Sequence, residues 1–403
     1  MSWILRRAAV PVGLTAALVL AGTPALAATP WNPPLDLTAN TPNATRALSA
    51  PMGYETSLGT EGGRARVVYE TAQHSIEELV GSPGGGWLPK TVSATPDAAS
   101  APFGYQTHVP SAVARVVFTT TAGDIDEFNL TNSDDQWVGN DLTTLFGAPR
   151  AAGAPFGYTT DLGSGEVARV VYRMADGHIE ELSLSPGGSW LPNDLTNIAG
   201  APLAASDPVA YLTNLPGQGP VARVVYRAVD GTIEELSVQQ GQQWQPANLS
   251  WIAGAPPAAS APIGFSSNPF IAPTFKDPVA RVVYRTTSGN VEQLSVVAGG
   301  SWTPTNLSQN GAPPAVSAPF GYSTFLPSQP GRVARVVYQG TDGNIWDLKA
   351  TDVNNWVPTQ IGINPGKTSV PYGYETVLRD NDLTARVVYN ARGHIHELSS
   401  TVG

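Results

Sequence analysis

Cysteine is absent from all 403 residues of the chain. The fold therefore cannot depend on disulfide bonds, and it must be held together by the burial of apolar side chains. A chain of this length is long enough to bury a sizeable core.

Positive charge is scarce. Lysine and arginine total 22 against 32 aspartates and glutamates, which gives a net charge of −10. A surface of this sign disfavours nucleic acid and anionic membranes as partners.

The five histidines are scattered, and His394 and His396, which share a strand face, lack a third ligand in the sequence. We therefore predict no metal site and no cofactor.

A sustained helical period is also missing, except near the N-terminus. There, Arg6 and Arg7 precede an apolar run from Ala8 to Leu20, and Ala25 and Ala27 follow. This pattern predicts a cleaved secretory signal peptide over residues 1–27, because the run is too short for a membrane span. The remaining chain, 28–403, is predicted to be one secreted domain with a net charge of −12.

What the sequence does contain is a sevenfold repeat. The copies read Ala-Arg-Val-Val-Tyr, a short turn, Ile-Glu-Glu-Leu, a Gly-rich turn and Trp, or close variants of this string, and the seventh copy lacks the last turn and Trp. The arginines are spaced 49, 54, 54, 58, 54 and 51 residues apart: Arg66, Arg115, Arg169, Arg223, Arg281, Arg335 and Arg386. A period of about 50 residues is typical of propellers and solenoids.

The third copy shows why each repeat should form four strands. Strands are predicted over 156–160, 167–173, 178–184 and 190–195, separated by Gly-rich turns. The second strand is apolar on both faces, so it needs neighbours above and below, which radial stacking of sheets supplies. The sequence therefore predicts an all-β, seven-bladed propeller of four-stranded blades.

The two ends of the chain predict how the ring closes. The seventh copy stops after Leu398 without its Gly-Gly-Trp strand, and the segment from Trp31 to Thr38 resembles the missing strand. We expect this N-terminal strand to complete the last blade and thereby remove an exposed edge.

Within a hairpin, the arginine and the acid that follows it should share one face of the blade. The offset is twelve residues, or eleven in the seventh copy, whose turn is one residue shorter. In the third copy, a three-residue loop pairs Met174 with His178, which sets Arg169 opposite Ser183 and diagonal to Glu181. The pair could be a half-exposed structural ion pair contributing about 0–1 kcal/mol. It could instead clasp the hydroxyls of a sugar, with a nearby tryptophan covering the sugar ring.

The repeat resembles that of the fungal fucose-specific lectin family and, more loosely, that of bacterial seven-bladed propeller lectins. The resemblance spans the mature chain and rests on Arg-Val-Val-Tyr, the Asp-Gly turn, Ile-x-Glu and Gly-x-Trp. It implies sugar pockets made by an arginine, an acid and the tryptophan of the following blade. The pockets so implied are Arg66, Glu78 and Trp137; Arg115, Glu127 and Trp190; Arg169, Glu181 and Trp244; Arg223, Glu235 and Trp302; Arg335, Asp347 and Trp31; and Arg386, Glu397 and Trp87.

The fifth copy would use Arg281 and Trp356 but has Gln293 in place of the acid, so we expect it to bind least.

The implied function is a secreted, multivalent, non-enzymatic lectin whose partners are glycans. A protein-interaction scaffold remains the alternative. A glycosidase is disfavoured because no copy adds a distinctive acid cluster. The sequence leaves the sugar and the oligomeric state open.

Overall fold

The protein is described here from a computed structural model. The structure describes residues 30–59, 62–81, 85–131, 136–268, 270–271, 274–275, 278–309, 311–326, 329–350, 353–363, 365–377 and 383–401. The predicted signal peptide lies outside the described residues and stays a prediction.

Seven four-stranded antiparallel sheets follow one another along the chain, which confirms the predicted propeller. We call the strands of each blade A to D, from the first in the repeat to the last. Blade 1 is β2 (Met52–Ser57), β3 (Gly63–Glu70), β4 (Ile76–Gly81) and β5 (Trp87–Ser93). Blade 2 is β6 (Phe103–Thr107), β7 (Val113–Thr119), β8 (Ile125–Thr131) and β9 (Val138–Asp141). Blade 3 is β10 (Phe156–Asp161), β11 (Glu166–Arg173), β12 (Ile179–Leu184) and β13 (Leu191–Asp194).

The remaining blades repeat this plan. Blade 4 is β14 (Val209–Leu215), β15 (Gly219–Arg227), β16 (Ile233–Val238) and β17 (Gln245–Asn248). Blade 5 is β18 (Ile263–Ser267), β21 (Val279–Arg285), β22 (Val291–Val297) and β23 (Thr303–Asn306), and its A–B connection carries the small hairpin β19 (Phe270–Ile271) and β20 (Thr274–Phe275). Blade 6 is β24 (Phe320–Leu326), β25 (Gln329–Gln339), β26 (Ile345–Ala350) and β27 (Trp356–Gly362). Blade 7 is β28 (Tyr372–Val377), β29 (Leu383–Ala391), β30 (His394–Thr401) and, as its D strand, β1 (Leu35–Asp36).

The B–C turn fixes the register of each hairpin. In blade 3 the Met174 amide donates to the His178 carbonyl over 2.9 Å, and Gly177 takes a φ of 91°, which glycine adopts without strain. This turn pairs Arg169 with Ser183, as predicted. The polar side chains that matter for function are therefore positioned by backbone pairing.

The D strand of blade 3 is shorter than predicted. In blade 3 the strand ends at Asp194 rather than at Leu195, and one helical turn follows because the Asp194 side chain accepts from the Asn197 amide. Such turns are α1 (Leu37–Asn40), α2 (Leu142–Phe146), α3 (Leu195–Ala199) and α4 (Leu249–Ala253). No helix of the described residues is long and apolar enough to cross a membrane.

Neighbouring blades interlock through an aromatic residue on one A strand and a glycine on the next. A Cβ atom on Gly157 would lie 2.2 Å from the ring of Tyr105, and one on Gly104 would lie 2.4 Å from the ring of Tyr54. Only a residue without a side chain permits this approach. The same contact recurs at Gly53, Gly264, Gly321 and Gly373, whereas blade 4 has Ala210 at this position, packed in one cluster with Tyr158.

The axis of the ring is filled by apolar side chains. Each A strand contributes its first residue, and together they line a residual cavity of about 180 Å³: Met52, Phe103, Phe156, Val209, Ile263, Phe320 and Tyr372. The rings of Phe103 and Phe156 lie 4.0 Å apart between centroids. The centre of the propeller is thus a small apolar cavity, and the polar sites lie elsewhere.

The N-terminal segment completes the seventh blade, as predicted. Leu35 pairs with Glu397 and Asp36 with His396. The Ile395 amide donates to the Thr38 hydroxyl over 2.8 Å, the same contact that Ile179 makes with Thr196 inside blade 3. The ring is therefore closed by backbone pairing between the two ends of the chain.

Candidate functional site

An arginine on each B strand binds an acid or amide on the C strand of the same blade. In site 3, named after its blade, Arg169 Nη1 donates to Glu181 Oε1 over 2.6 Å. The same bond joins Arg66 and Glu78, Arg115 and Glu127, Arg223 and Glu235, Arg281 and Gln293, Arg335 and Asp347, and Arg386 and Glu397. The predicted diagonal pairing is therefore present in all seven blades.

The expected half-exposure of these pairs is wrong, because the pairs are buried between blades. In site 3, one of the two most exposed, the side chains of Arg169 and Glu181 are 13% and 2% accessible. Removing one partner of a buried ion pair costs about 3–5 kcal/mol, far more than for a surface pair. The ion pair is thus a structural element of six blades, and in blade 5 the neutral Gln293 takes the place of the acid.

A tyrosine of the A strand supplies the acid with a second donor. Tyr158 donates to Glu181 Oε2 over 2.7 Å, and the same bond joins Tyr54 to Glu78, Tyr211 to Glu235 and Tyr374 to Glu397. Burial raises the pKa of Glu181 above its ordinary value, while Arg169 and Tyr158 act in the opposite direction by favouring the carboxylate. Both oxygens of the acid therefore have donors within the blade.

A hydroxyl two residues beyond the tyrosine position completes the network. In site 3, Thr160 Oγ1 accepts from Arg169 Nε over 2.8 Å. The equivalent acceptors are Thr56, Thr107, Thr213, Ser267, Thr324 and Thr376. Sequence reasoning missed these residues, although the repeated Gly-Tyr-x-Thr string was the available signal.

Blades 2, 5 and 6 depart from this network. The Tyr105 hydroxyl is buried with no hydrogen-bond partner among the described residues, and Asn129 donates to Glu127 instead. In blade 5, Phe265 replaces the tyrosine and Gln293 the acid.

In blade 6 the shorter Asp347 bonds Arg335 through one oxygen. Its other oxygen and the Tyr322 hydroxyl are buried without a partner in the part of the chain that the structure describes. The seven sites are therefore chemically unequal.

The predicted tryptophans of the following blades lie beside the arginines. The guanidinium carbons of Arg115, Arg223, Arg281 and Arg335 lie 5.7, 5.9, 5.4 and 5.6 Å from the ring centroids of Trp190, Trp302, Trp356 and Trp31. Trp137 packs in the cluster that contains Tyr54, and Trp87 in the cluster that contains Tyr374. Tyr54 donates to Glu78, the acid of the site to which Trp137 was assigned. Tyr374 donates to Glu397, the acid of the site to which Trp87 was assigned.

Among the described residues, sites 3 and 4 open into cavities of a size that fits a small ligand. At site 3, Arg169, Glu181, Ser183 and Trp244 line a cavity of about 300 Å³. At site 4, Arg223 and Ser237 line a cavity of about 470 Å³. A glutamine-rich loop, 239–243, contributes to both cavities.

At two other sites, the arginine side chain donates a hydrogen bond to the backbone carbonyl of another residue. Arg115 Nη2 donates to the Val109 carbonyl over 2.7 Å, from the A–B connection of its own blade. Arg281 Nη1 donates to the Val353 carbonyl over 2.8 Å, from blade 6. These carbonyls occupy donors that a ligand at sites 2 and 5 would need.

The residue paired with each arginine varies around the ring. In blade order these residues are Val80, Asn129, Ser183, Ser237, Ser295, Lys349 and Ser399. Sites 3 and 4 thus combine a serine with an arginine, a glutamate and an open cavity, and site 6 alone adds a second cation. The described residues include no cluster of three or more histidines and acids able to hold a metal ion.

Several solved structures are similar to this chain in fold. The BP39L lectin from Burkholderia pseudomallei matches with a TM-score of 0.70 at 15% identity, covering 88% of this chain and 96% of that one. The fucose-specific lectin from Aleuria aurantia matches with a TM-score of 0.51 at 16% identity, covering 80% and 99%. No family model and no curated protein sequence matches the chain. At these identities the similarity shows the fold alone.

Proposed function

We propose that the protein is a secreted lectin that binds a neutral sugar, with fucose as the first candidate, in its inter-blade pockets. The observation that carries the proposal is the pair of open cavities at sites 3 and 4. Each combines the arginine and a serine with the glutamine-rich loop 239–243. We expect these two sites to bind most strongly and sites 2 and 5 to bind least.

The chemistry of the open sites suits a polyol. Charged and amide donors, together with serine hydroxyls, form directional hydrogen bonds to vicinal hydroxyls. Trp244 lines the cavity at site 3, where its apolar ring can cover the C–H face of a sugar. Because the sites recur on one rigid ring, weak single-site binding would become strong on a multivalent surface.

Two further observations support the proposal. The Aleuria aurantia protein is named as fucose-specific and the Burkholderia pseudomallei protein as a lectin. The predicted signal peptide at residues 1–27 agrees with a role outside the cell.

Calorimetric titration of the protein with L-fucose tests the proposal. We expect a stoichiometry above one. Trp244→Phe should weaken binding at one site, because the smaller ring covers less of the sugar. Trp356→Phe is the matched control. It makes the same change beside Arg281, which already donates to the Val353 carbonyl, and it should leave the sugar titration unchanged.

Other outcomes would contradict the proposal. No heat with L-fucose or with any other neutral monosaccharide would leave the protein-interaction scaffold as the better interpretation. Release of free sugar from a fucosylated glycan would indicate a glycosidase. Equal effects of Trp244→Phe and Trp356→Phe on binding would exclude site 3 as an open pocket.

A further inference from the structure

Site 6 carries a lysine where the open sites carry a serine. Lys349 pairs directly with Arg335 across the B and C strands, so the two side chains share one face of the blade. Asp347 lies two residues from Lys349 on the same strand and therefore on the same face. The site thus brings two cations and one short acid together.

The described surroundings of Lys349 do not balance its charge. Asp347 is bound to Arg335, and its negative charge raises the pKa of Lys349 by less than burial and Arg335 together lower it. The nearby Glu375 is bound by Arg332 over 2.8 Å. Counted over the described residues, site 6 therefore has an excess of one positive charge, whereas the Arg–Glu pairs of sites 3 and 4 are balanced.

Burial makes this excess charge costly in the absence of a ligand. Lys349 is partly buried, and burial and the neighbouring Arg335 both lower its pKa. Trp31 lies over Arg335 with 5.6 Å between its ring centroid and the guanidinium carbon, as expected for the wall of a sugar pocket. A bound anion would restore the charge balance.

We propose that site 6 binds an acidic sugar, with Arg335 and Lys349 holding its carboxylate or sulfate group and Trp31 packing on its ring. The proposal rests on the proposed lectin function and assigns a different ligand class to this one site. Two cationic donors on one face match the oxygens of such an acidic group. The protein then binds neutral sugars at sites 3 and 4 and an acidic sugar at site 6.

The test is calorimetric titration at low ionic strength with D-glucuronate and galactose 6-sulfate, against their neutral counterparts D-glucose and D-galactose. We expect at least one acidic sugar to bind one equivalent, at least about tenfold more tightly than its counterpart, as for a hydrogen bond to a charged group. Lys349→Ser, which installs the residue of the open sites, should abolish this preference. Ser183→Lys, the reciprocal change at site 3, should add a second equivalent of acidic sugar.

Titrations with sodium acetate and sodium sulfate separate a sugar from a simple anion. If either ion binds as tightly as the acidic sugar, site 6 is an anion site only and the proposal is overturned. A preference for acidic sugars that survives Lys349→Ser would also overturn it. Thermal melting of both variants checks that the ring is intact.

Titration of the same samples with L-fucose separates the two proposals. If fucose binds and no acidic sugar shows a Lys349-dependent preference, the assignment of site 6 is wrong and the lectin proposal stands. If acidic sugar binds in a Lys349-dependent manner and no neutral sugar binds, only the neutral-sugar proposal fails. If no sugar binds, both fail.

Discussion

The hydroxyl of Tyr158 donates a hydrogen bond of 2.7 Å to Oε2 of Glu181 in the interior of blade 3. The same side chain also has a packing role, because the Tyr158 ring lies in one apolar cluster with Ala210 of the next blade. Blade packing and the state of the buried acid are therefore coupled through one side chain.

Tyr158→Phe should destabilise the protein, because it leaves one oxygen of a buried carboxylate without its donor. We expect a loss of about 1.5–3 kcal/mol in the free energy of unfolding, measured by chemical denaturation. Tyr105→Phe is the matched control, since the described residues provide no hydrogen-bond partner for the Tyr105 hydroxyl. Its effect should stay within about 0.5 kcal/mol. Equal losses in the two variants would show that the bond to Glu181 contributes nothing specific.

Blade 5 offers the converse experiment, because Phe265 and Gln293 replace the tyrosine and the acid together. Phe265→Tyr and Gln293→Glu should be more favourable in combination than the sum of the single changes. The expected coupling is about 1–3 kcal/mol, the worth of a hydrogen bond to a charged group. Unfolding curves of the parent, the two single variants and the double variant measure this coupling. If the changes in unfolding free energy of the single variants add up to that of the double variant, the coupling is contradicted.

The stability of the protein should fall as pH rises towards neutrality. Burial and the neighbouring Asp194 raise the pKa of Glu180 to about 7 from its ordinary value of 4.5. Between these two values the folded state holds a proton that the unfolded state has lost, so unfolding becomes easier with rising pH. Glu180→Gln should remove the part of this dependence that Glu180 contributes. The variant should therefore gain stability relative to the parent, by up to about 3 kcal/mol, between pH 4.5 and 8.

Thermal melting at several pH values checks this prediction. Glu234→Gln should behave similarly, because burial also raises the pKa of Glu234 to about 7. A stability difference between variant and parent that does not change with pH would show that Glu180 ionises normally in the folded protein.

Deleting residues 28–38 should lower the melting temperature by roughly 5 °C or more, because β30 loses its partner and becomes an exposed edge. Asp36 and Asp194 provide a finer comparison, since both cap a helical turn and both contact a histidine. Asp36→Ala should cost more stability than Asp194→Ala, because β1 is tethered to blade 7 only by its contacts. A deletion variant that melts like the parent would refute closure of the ring by this strand.

The sequence was sufficient for the architecture because the repeat encodes it locally. The spacing of Met174 and His178 around one turn determined the partner of Arg169, and the similarity of Trp31–Thr38 to an ordinary D strand indicated the closure. Both inferences needed only neighbours in the sequence or a comparison between copies.

Whether the arginine of a site is open to a ligand or bound by a backbone carbonyl could not be predicted in this way. The carbonyls of Val109 and Val353 reach Arg115 and Arg281 from loops whose paths depend on the assembled ring. The role of Tyr158 as a donor was also missed, because an aromatic residue in a strand is fully explained by packing. The joint change of Phe265 and Gln293 was the signal that could have revealed it.

The closure of blade 7 by β1 has a consequence for biosynthesis. Leu35 and Asp36 are translated before blades 1 to 6, whereas their partners Glu397 and His396 are translated after them. The N-terminal strand therefore lacks its partner while six blades form, and only a polypeptide that includes β30 can close the ring. Chains that terminate before β30 leave the ring open, with unpaired strand edges.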